Sequence, residues 1–381
     1  MLFLMGGTQM HMLAQGYLVY ELTGSGAVLG MVNLGIAIPM LTIPFFGGAI
    51  ADRFDRRTII QGAQIVATIL ALVIGLMIHT DIIAWPHLMI SSMIQGGLFA
   101  FMMPSRQAII PQLVGPQKLP NALALNAAGM SAMTMAAPAL AGWLYASFGP
   151  WNVFYVISAL SFAAIVMTGF IKKPEVATAR SGSTMLRDIY EGFLYVSRRP
   201  ILIVLLLIAL GTTILAMPFR FLLPVFVVDI YRMGPDSMGL LVGIMGMGAM
   251  VGALYVASAG KKNRGLLLII SSFLSGIGLL LVALIPVYSI AVVIMIILGL
   301  GDSGRMSLNQ ALLIEESEDR FRGRVMSIYM LNFGLMPLGT FPAGILADYV
   351  GGQAVVGAMA VMLLALAVII LLTQKQLRRM P

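Results

Sequence analysis

Strongly polar side chains are scarce in this sequence, so the few that interrupt its apolar runs are where chemistry would sit. Only 10% of the 381 residues are charged, against 60% hydrophobic. In Gly299-Leu-Gly-Asp-Ser-Gly-Arg-Met306, Asp302 and Arg305 stand one helical turn apart. A carboxylate beside a cation that can let it go is a means of carrying a proton. The same pair at i, i+3 can equally be a closed internal ion pair. Arg220, in Met217-Pro-Phe-Arg-Phe-Leu-Leu-Pro224, could receive an anionic group, pair with Asp302, or snorkel to the membrane surface. A third set falls in the first apolar run: Thr8, Gln9, His11 and Gln15. His11 could titrate near neutral pH or serve as a hydrogen-bonded packing residue.

Other chemistry is not supported. Cysteine is absent, which removes disulfides, thiolate metal sites and a cysteine nucleophile. No metal-ligand spacing, nucleophile–base set or phosphate-cradling loop occurs, so neither an enzyme nor a resident cofactor is expected. The 30 methionines suit either an adaptable apolar pocket or simple core filling. No methionine cluster occupies an external loop, so copper binding is not expected.

These residues must be positioned by helices in a bilayer. A soluble domain is about 25% charged, and a chain this apolar could not cover its surface. About 20 apolar residues cross a hydrocarbon core, and backbone groups in lipid must be satisfied within the segment. Such runs lie at about 1–22, 28–51, 58–78, 85–104, 121–147, 152–171, 201–228, 236–258, 265–286, 289–313, 324–347 and 353–373. Twelve transmembrane helices are expected.

The charges then orient the chain. Of the 23 Lys and Arg residues, all but Arg220, Arg232 and Arg305 fall in loops or tails on one side. By the positive-inside rule that side is cytoplasmic and holds both termini. The formal charge of +8 is therefore a topology signal, and nucleic acid is not an expected partner.

The only long polar connection runs from Lys172 to Pro200. Within it Leu186, Ile189, Phe193 and Val196 recur at helical spacing, which predicts a short amphipathic helix on the cytoplasmic surface. The domains expected are a six-helix bundle over 1–171, a linker over 172–200, a second bundle over 201–373 and a tail over 374–381. The halves are also alike. Gln107-Ala-Ile-Ile matches Gln310-Ala-Leu-Leu (310 − 107 = 203), Gly142-x-Leu matches Gly344-x-Leu (344 − 142 = 202), and Gly48 matches Gly252 (252 − 48 = 204). A duplicated six-helix unit of parallel topology puts a site near the bilayer midplane, served by rocking of one half against the other. The fold class expected is all-α, two pseudo-symmetric six-helix bundles.

One loop is more specific. Gly48-Ala-Ile-Ala-Asp52-Arg53-Phe-Asp55-Arg56-Arg57 resembles the signature loop G-x-x-x-D-R-x-[GD]-R-[RK] of the major facilitator superfamily. Gly48 leaves room for close helix approach, and Asp52 could pair with a cation or face a helix N-terminus. The resemblance implies a gating loop made of Gly48, Asp52, Arg53, Asp55, Arg56 and Arg57, with Arg106, Arg322 and Arg324 as a cytoplasmic latch. Tyr17-Leu-Val-Tyr-Glu-Leu-Thr-Gly-Ser25, Pro104-Ser-Arg-Gln-Ala-Ile-Ile-Pro111, Arg322-Gly-Arg-Val-Met326 and Gly344-x-x-Ala-Asp348 are similar to the drug- and siderophore-exporter branch. Ala136-Ala-Pro138-x-x-Ala-Gly142 resembles the G-P-x-x-G-G antiporter motif of this superfamily, with alanine at two glycine positions. Family members usually carry a cytoplasmic segment before the first span, whereas Met1 opens directly on apolar sequence, so a truncated or misassigned start is expected.

The resemblance implies a secondary active transporter in a prokaryotic cytoplasmic membrane, exporting a small amphipathic compound with the proton gradient as energy source. Candidate substrate or proton residues are Asp302, Arg305, Arg220, Gln9, His11 and Gln15. A small molecule and the bilayer are the expected partners, and a monomer the expected state. An importer on the same fold and a non-transporting sensor or scaffold are the alternatives.

Overall fold

The structure is a computed structural model, and it describes residues 2–51, 55–170, 185–258, 260, 263–378 and 380. All regular structure among them is helical. In chain order the first half gives α1 (Leu2–Thr23), α2 (Gly26–Ala51), α3 (Arg56–His79), α4 (Trp85–Leu113), α5 (Leu119–Phe148) and α6 (Pro150–Gly169). The linker helix α7 spans Met185–Ser197. The second half gives α8 (Pro200–Val225), continued by a π-helical turn at Phe226–Ile230, then α9 (Pro235–Ser258), α10 (Arg264–Leu284) and α11 (Tyr288–Glu315). It closes with α12 (Arg322–Gly334), α13 (Pro337–Val350), α14 (Gly352–Thr373) and the short α15 (Lys375–Arg378). Pro337 cannot donate to the preceding turn, and the eleventh expected span divides there into α12 and α13.

Among the described residues ten helical segments are long and apolar enough to cross a membrane. The other two of the twelve expected are α1 and α4. They have 22 and 29 residues, about 33 Å and 43 Å of helix, so length is not what they lack. They carry the polar residues His11 and Gln15, and Ser91, Ser92 and Gln95, which lower their hydropathy.

The burial pattern is that of a protein in lipid. On α3, Ile65, Ile69, Leu72 and Leu76 form one exposed stripe, while Ile60, Ala63, Gln64, Ala71, Ile74 and Gly75 are buried. In water that outer stripe would carry charge; against acyl chains it needs none.

The chain clusters into two compact units, one of Met1–Gly24, Met31–Gly182 and Met233–Gly243, the other of Ser25–Gly30, Ser183–Arg232 and Ile244–Pro381. In the first unit α4 crosses α2 at Gly96, whose Cβ, if present, would overlap the Ile36 carbonyl. In the second α11 crosses α9 at Gly299, where a Cβ would overlap the Met245 carbonyl. These glycines are repeat mates (299 − 96 = 203), so the two halves use the same bare-backbone crossing. Gly252, the mate of Gly48, does likewise: its Cβ would lie 2.9 Å from the Leu300 carbonyl oxygen.

The linker helix belongs to the second unit. Val196 is buried in a core with Leu202, Leu205, Leu308, Leu312 and Val325. Tyr195 stacks on Phe321 with ring centres 4.2 Å apart and accepts a hydrogen bond from the Glu318 amide at 3.0 Å. Phe193 is half exposed, and the side chains of Leu186 and Ile189 lie outside the description.

Candidate functional site

The loop after α2 is described only in part. Gly48 lies within α2, while Asp52 and Arg53 lie outside the described residues. Asp55 caps α3, its carboxylate accepting from the Thr58 amide at 2.9 Å and the Thr58 hydroxyl at 2.6 Å. An extended residue with a short acceptor side chain is what a helix N-terminus selects. Arg56 opens α3, and Arg57 donates from Nη2 to the Gly169 carbonyl, 2.7 Å away at the C-terminus of α6. A cation is favoured at that end of a helix dipole.

In the same unit α1 and α4 share a buried polar cluster. Gln15 donates through Nε2 to the Leu88 carbonyl at 3.2 Å and to the Ser92 hydroxyl, which leaves its Oε1 facing His11 at 2.6 Å. Carbonyl oxygens only accept, so a bond to Gln15 requires the His11 proton on Nε2, whereas a bond from the Gln95 amide to the same nitrogen requires it on Nδ1. The Gln95 amide abuts His11 Nε2 and also reaches Ser91 at 3.5 Å. The edge of the His11 ring meets Phe154 of α6 at 5.2 Å. Of the sequence candidates, His11 and Gln15 are brought together here. Gln9 is partly exposed and bonds to none of the described residues. Ser91, Ser92 and Gln95 were not among the candidates; their spacing at i, i+1 and i+4 was the available signal.

Arg106 is 7% exposed, seven residues inside the end of α4. Among the described residues its guanidinium bonds only to sulfur: Met5 Sδ at 3.9 Å and Met130 Sδ at 3.1 Å.

The second unit places Asp302 and Arg305 as an ion pair of 3.1 Å within α11. Ser275 of α10 donates to the same carboxylate oxygen, also at 3.1 Å. The Asp302 side chain is 15% exposed and the Arg305 side chain 4%. Arg305 turns into a cavity lined also by Thr212, Thr213, Met217, Asn309, Tyr329 and Asn332. The cavity has about 20 Å³, room for one water and far short of a drug-sized ligand. Three buried polar atoms on its walls have no hydrogen-bond partner among the described residues: Arg305 Nε, Asn309 Oδ1 and Asn332 Nδ2. Arg220 is half-buried on α8 and pairs with no described residue.

The expected latch residues have separate engagements. Arg322 pairs with Asp319 at 2.6 Å, and Arg324 pairs with Glu191 of α7 at 2.8 Å. A contact not foreseen from sequence lies at the other end of the helices. Asp348 of α13 accepts from the Ser25 hydroxyl and the Gly26 amide, each at 2.6 Å, and from the Ala27 amide at 3.1 Å. A carboxylate here satisfies the orphan amides of α2's first turn.

Comparison with known proteins places this arrangement. A profile described as Major Facilitator Superfamily matches residues 1–338 and 222–379. Macrolide efflux protein A of Streptococcus pyogenes is 26% identical over 87% of this chain and 83% of its own length. The staphyloferrin A transporter of Staphylococcus aureus is 27% identical over 85% and 81%, respectively. The multidrug efflux pump Tap of Mycolicibacterium fortuitum is 24% identical over 95% and 91%. Among solved structures, a bacterial homolog of the human lysosomal transporter Spinster superposes with a TM-score of 0.75 at 14% identity, covering 96% of this chain and 93% of that one. The D-xylose–proton symporter superposes with a TM-score of 0.73 at 12% identity, covering 97% and 94%. With its duplicated six-helix halves, signature loop and whole-length family match, this multi-pass membrane protein belongs to the major facilitator superfamily.

Proposed function

We propose that the chain is a proton-driven exporter of small amphipathic compounds of drug or siderophore type, working by alternating access as a monomer. The cytoplasmic membrane is its site, with both termini cytoplasmic, as the one-sided distribution of Lys and Arg favours. The observation that carries export is the likeness to macrolide efflux protein A along 87% of the chain.

Asp302 is the group that suits proton coupling. It is mostly buried, and its charge is held by Arg305 and Ser275. A proton on Asp302 would release Arg305 from the pair, and loss of the proton would draw it back. That exchange couples a titration to a movement of a buried cation, which is what an antiporter needs from an intramembrane carboxylate. The Gly48–Arg57 loop serves as the gate in this reading, and no cofactor is required.

The test is efflux from a host stripped of its own exporters, using a panel of macrolides, cationic dyes and ferric chelators, with and without a protonophore. Lower accumulation of at least one compound, restored by the protonophore, is the expected result. Higher accumulation would mark an importer, and no change across the panel would overturn export.

A further inference from the structure

We propose that Arg106 and Asn126 form a subsite for an anionic group, a carboxylate or sulfonate, on an amphipathic substrate. The proposal rests on the transporter reading and adds the chemical class of what is carried.

Arg106 is a buried charge with no counter-charge among the described residues. An arginine side chain cannot shed its proton in a protein, so a buried one must be paired or hydrogen-bonded. Arg106 is 93% buried by its 7% exposure, yet it has no carboxylate and no oxygen acceptor among the described residues. Its neighbours are the sulfurs of Met5 and Met130, and a thioether is a weak acceptor. Among the described residues no oxygen acceptor repays the cost of taking a guanidinium out of water.

The second observation is convergence. Asn126, on α5, directs its Nδ2 at the same Met130 sulfur, 3.5 Å away. Two N–H donors from two helices therefore point at one atom that can scarcely accept from either. Met130 Sδ occupies the position where an anionic oxygen would take a charge-assisted bond from Arg106 and a second bond from Asn126. Methionine is well suited to hold that place, since its unbranched side chain can swing aside without disturbing the backbone.

The third observation is access. Met5, Asn126 and Met130 are each partly exposed, so the guanidinium is covered by side chains that a ligand can reach and displace. The thioethers would then flank the apolar part of the ligand. An anion with an apolar body matches both halves of the subsite. A cation would meet Arg106, and a neutral molecule would leave it uncompensated.

The test uses the purified full-length protein in neutral detergent, with naphthalene-2-sulfonate and its neutral isostere naphthalene-2-sulfonamide as probes. Wild type is expected to bind the sulfonate about tenfold or more tighter than the sulfonamide, the scale of one charge-assisted hydrogen bond. Arg106→Gln should reduce that preference to about twofold or less, and Arg106→Lys should keep part of it. Asn126→Asp supplies a fixed carboxylate beside Arg106, so it should raise the thermal midpoint and abolish sulfonate binding together. Equal binding of the two probes by wild type, an undiminished preference in Arg106→Gln, or a lower midpoint in Asn126→Asp would each overturn the proposal. Binding is read without any gradient, so a failure of export in cells leaves this result standing on its own.

Discussion

Asp302→Asn removes one charge of a mostly buried pair and leaves the other in place. At 3.1 Å and an effective dielectric of about 20, the pair attracts by about 5 kcal/mol, before desolvation of either group is counted. Deleting one partner of a buried pair leaves the survivor uncompensated, and costs about 3–5 kcal/mol. Here the lower end applies, because Asp302 keeps 15% exposure and asparagine can still accept from Ser275. About 3 kcal/mol is therefore expected for Asp302→Asn. Arg305→Met is expected to cost less, since Ser275 and residual solvent still serve the carboxylate. The double variant, with both charges gone, should return to within about 1 kcal/mol of wild type, because an apolar pair of similar volume is often no less stable. Unfolding in neutral detergent followed by circular dichroism gives all four corners of the cycle. A coupling energy near zero would refute the reasoning, since the pair would then contribute nothing to the folded state. The same variants separate structure from transport: if the double variant is stable yet no longer exchanges substrate for protons, the pair carries coupling and not merely packing.

Gln95→Leu removes the amide that abuts His11 and donates to Gln15 Oε1 at 3.4 Å, and should cost about 1–3 kcal/mol in the same unfolding assay; a neutral effect would mean that Gln95 does not help to join α1 and α4. Gly299→Ala and Gly62→Ala should differ in sign. The first puts a Cβ 2.7 Å from the Ala249 amide nitrogen and should destabilise by about 1–3 kcal/mol. The second meets nothing within 4 Å on α3 and should stabilise by about 0.5–1 kcal/mol. Equal effects would refute the crossing at Gly299. Asp348→Ala removes the acceptor of three hydrogen bonds, so amide exchange at Gly26 and Ala27 should accelerate selectively; unchanged protection would show that the first turn of α2 is held by something else.

Much of this protein was legible in its sequence because bilayer physics leaves few choices. Spans follow from apolar runs, and the family from a loop whose residue types, spacing and charge order all agree. The Asp302–Arg305 pair was legible because i, i+3 neighbours share one face of a helix. Contacts between distant segments were not legible in the same way. Gln95 reads in sequence as a dip in hydropathy, and only packing of α4 against α1 makes it a partner of His11, 84 residues away. Asp348 similarly caps a helix that begins 322 residues before it. Arg106 stands in a basic loop by its sequence, which suggested a latch. Its burial against two sulfurs depends on where α1 and α5 run, and a pattern of charges carries no record of that.

The docking of α7 has a practical consequence for dividing the chain. Glu191 to Arg324, Tyr195 to Phe321 and Glu318, and Arg199 to Glu318 all tie this helix to the same side of the molecule as α12, and Val196 is buried in its core. From Met185 onward the segment called a linker is thus a piece of the second folding unit. A split transporter made from two co-expressed fragments should therefore be cut before Met185. A cut after Ser197 would hand the first fragment a helix whose apolar face belongs to the second, and would leave that second fragment with an open seam.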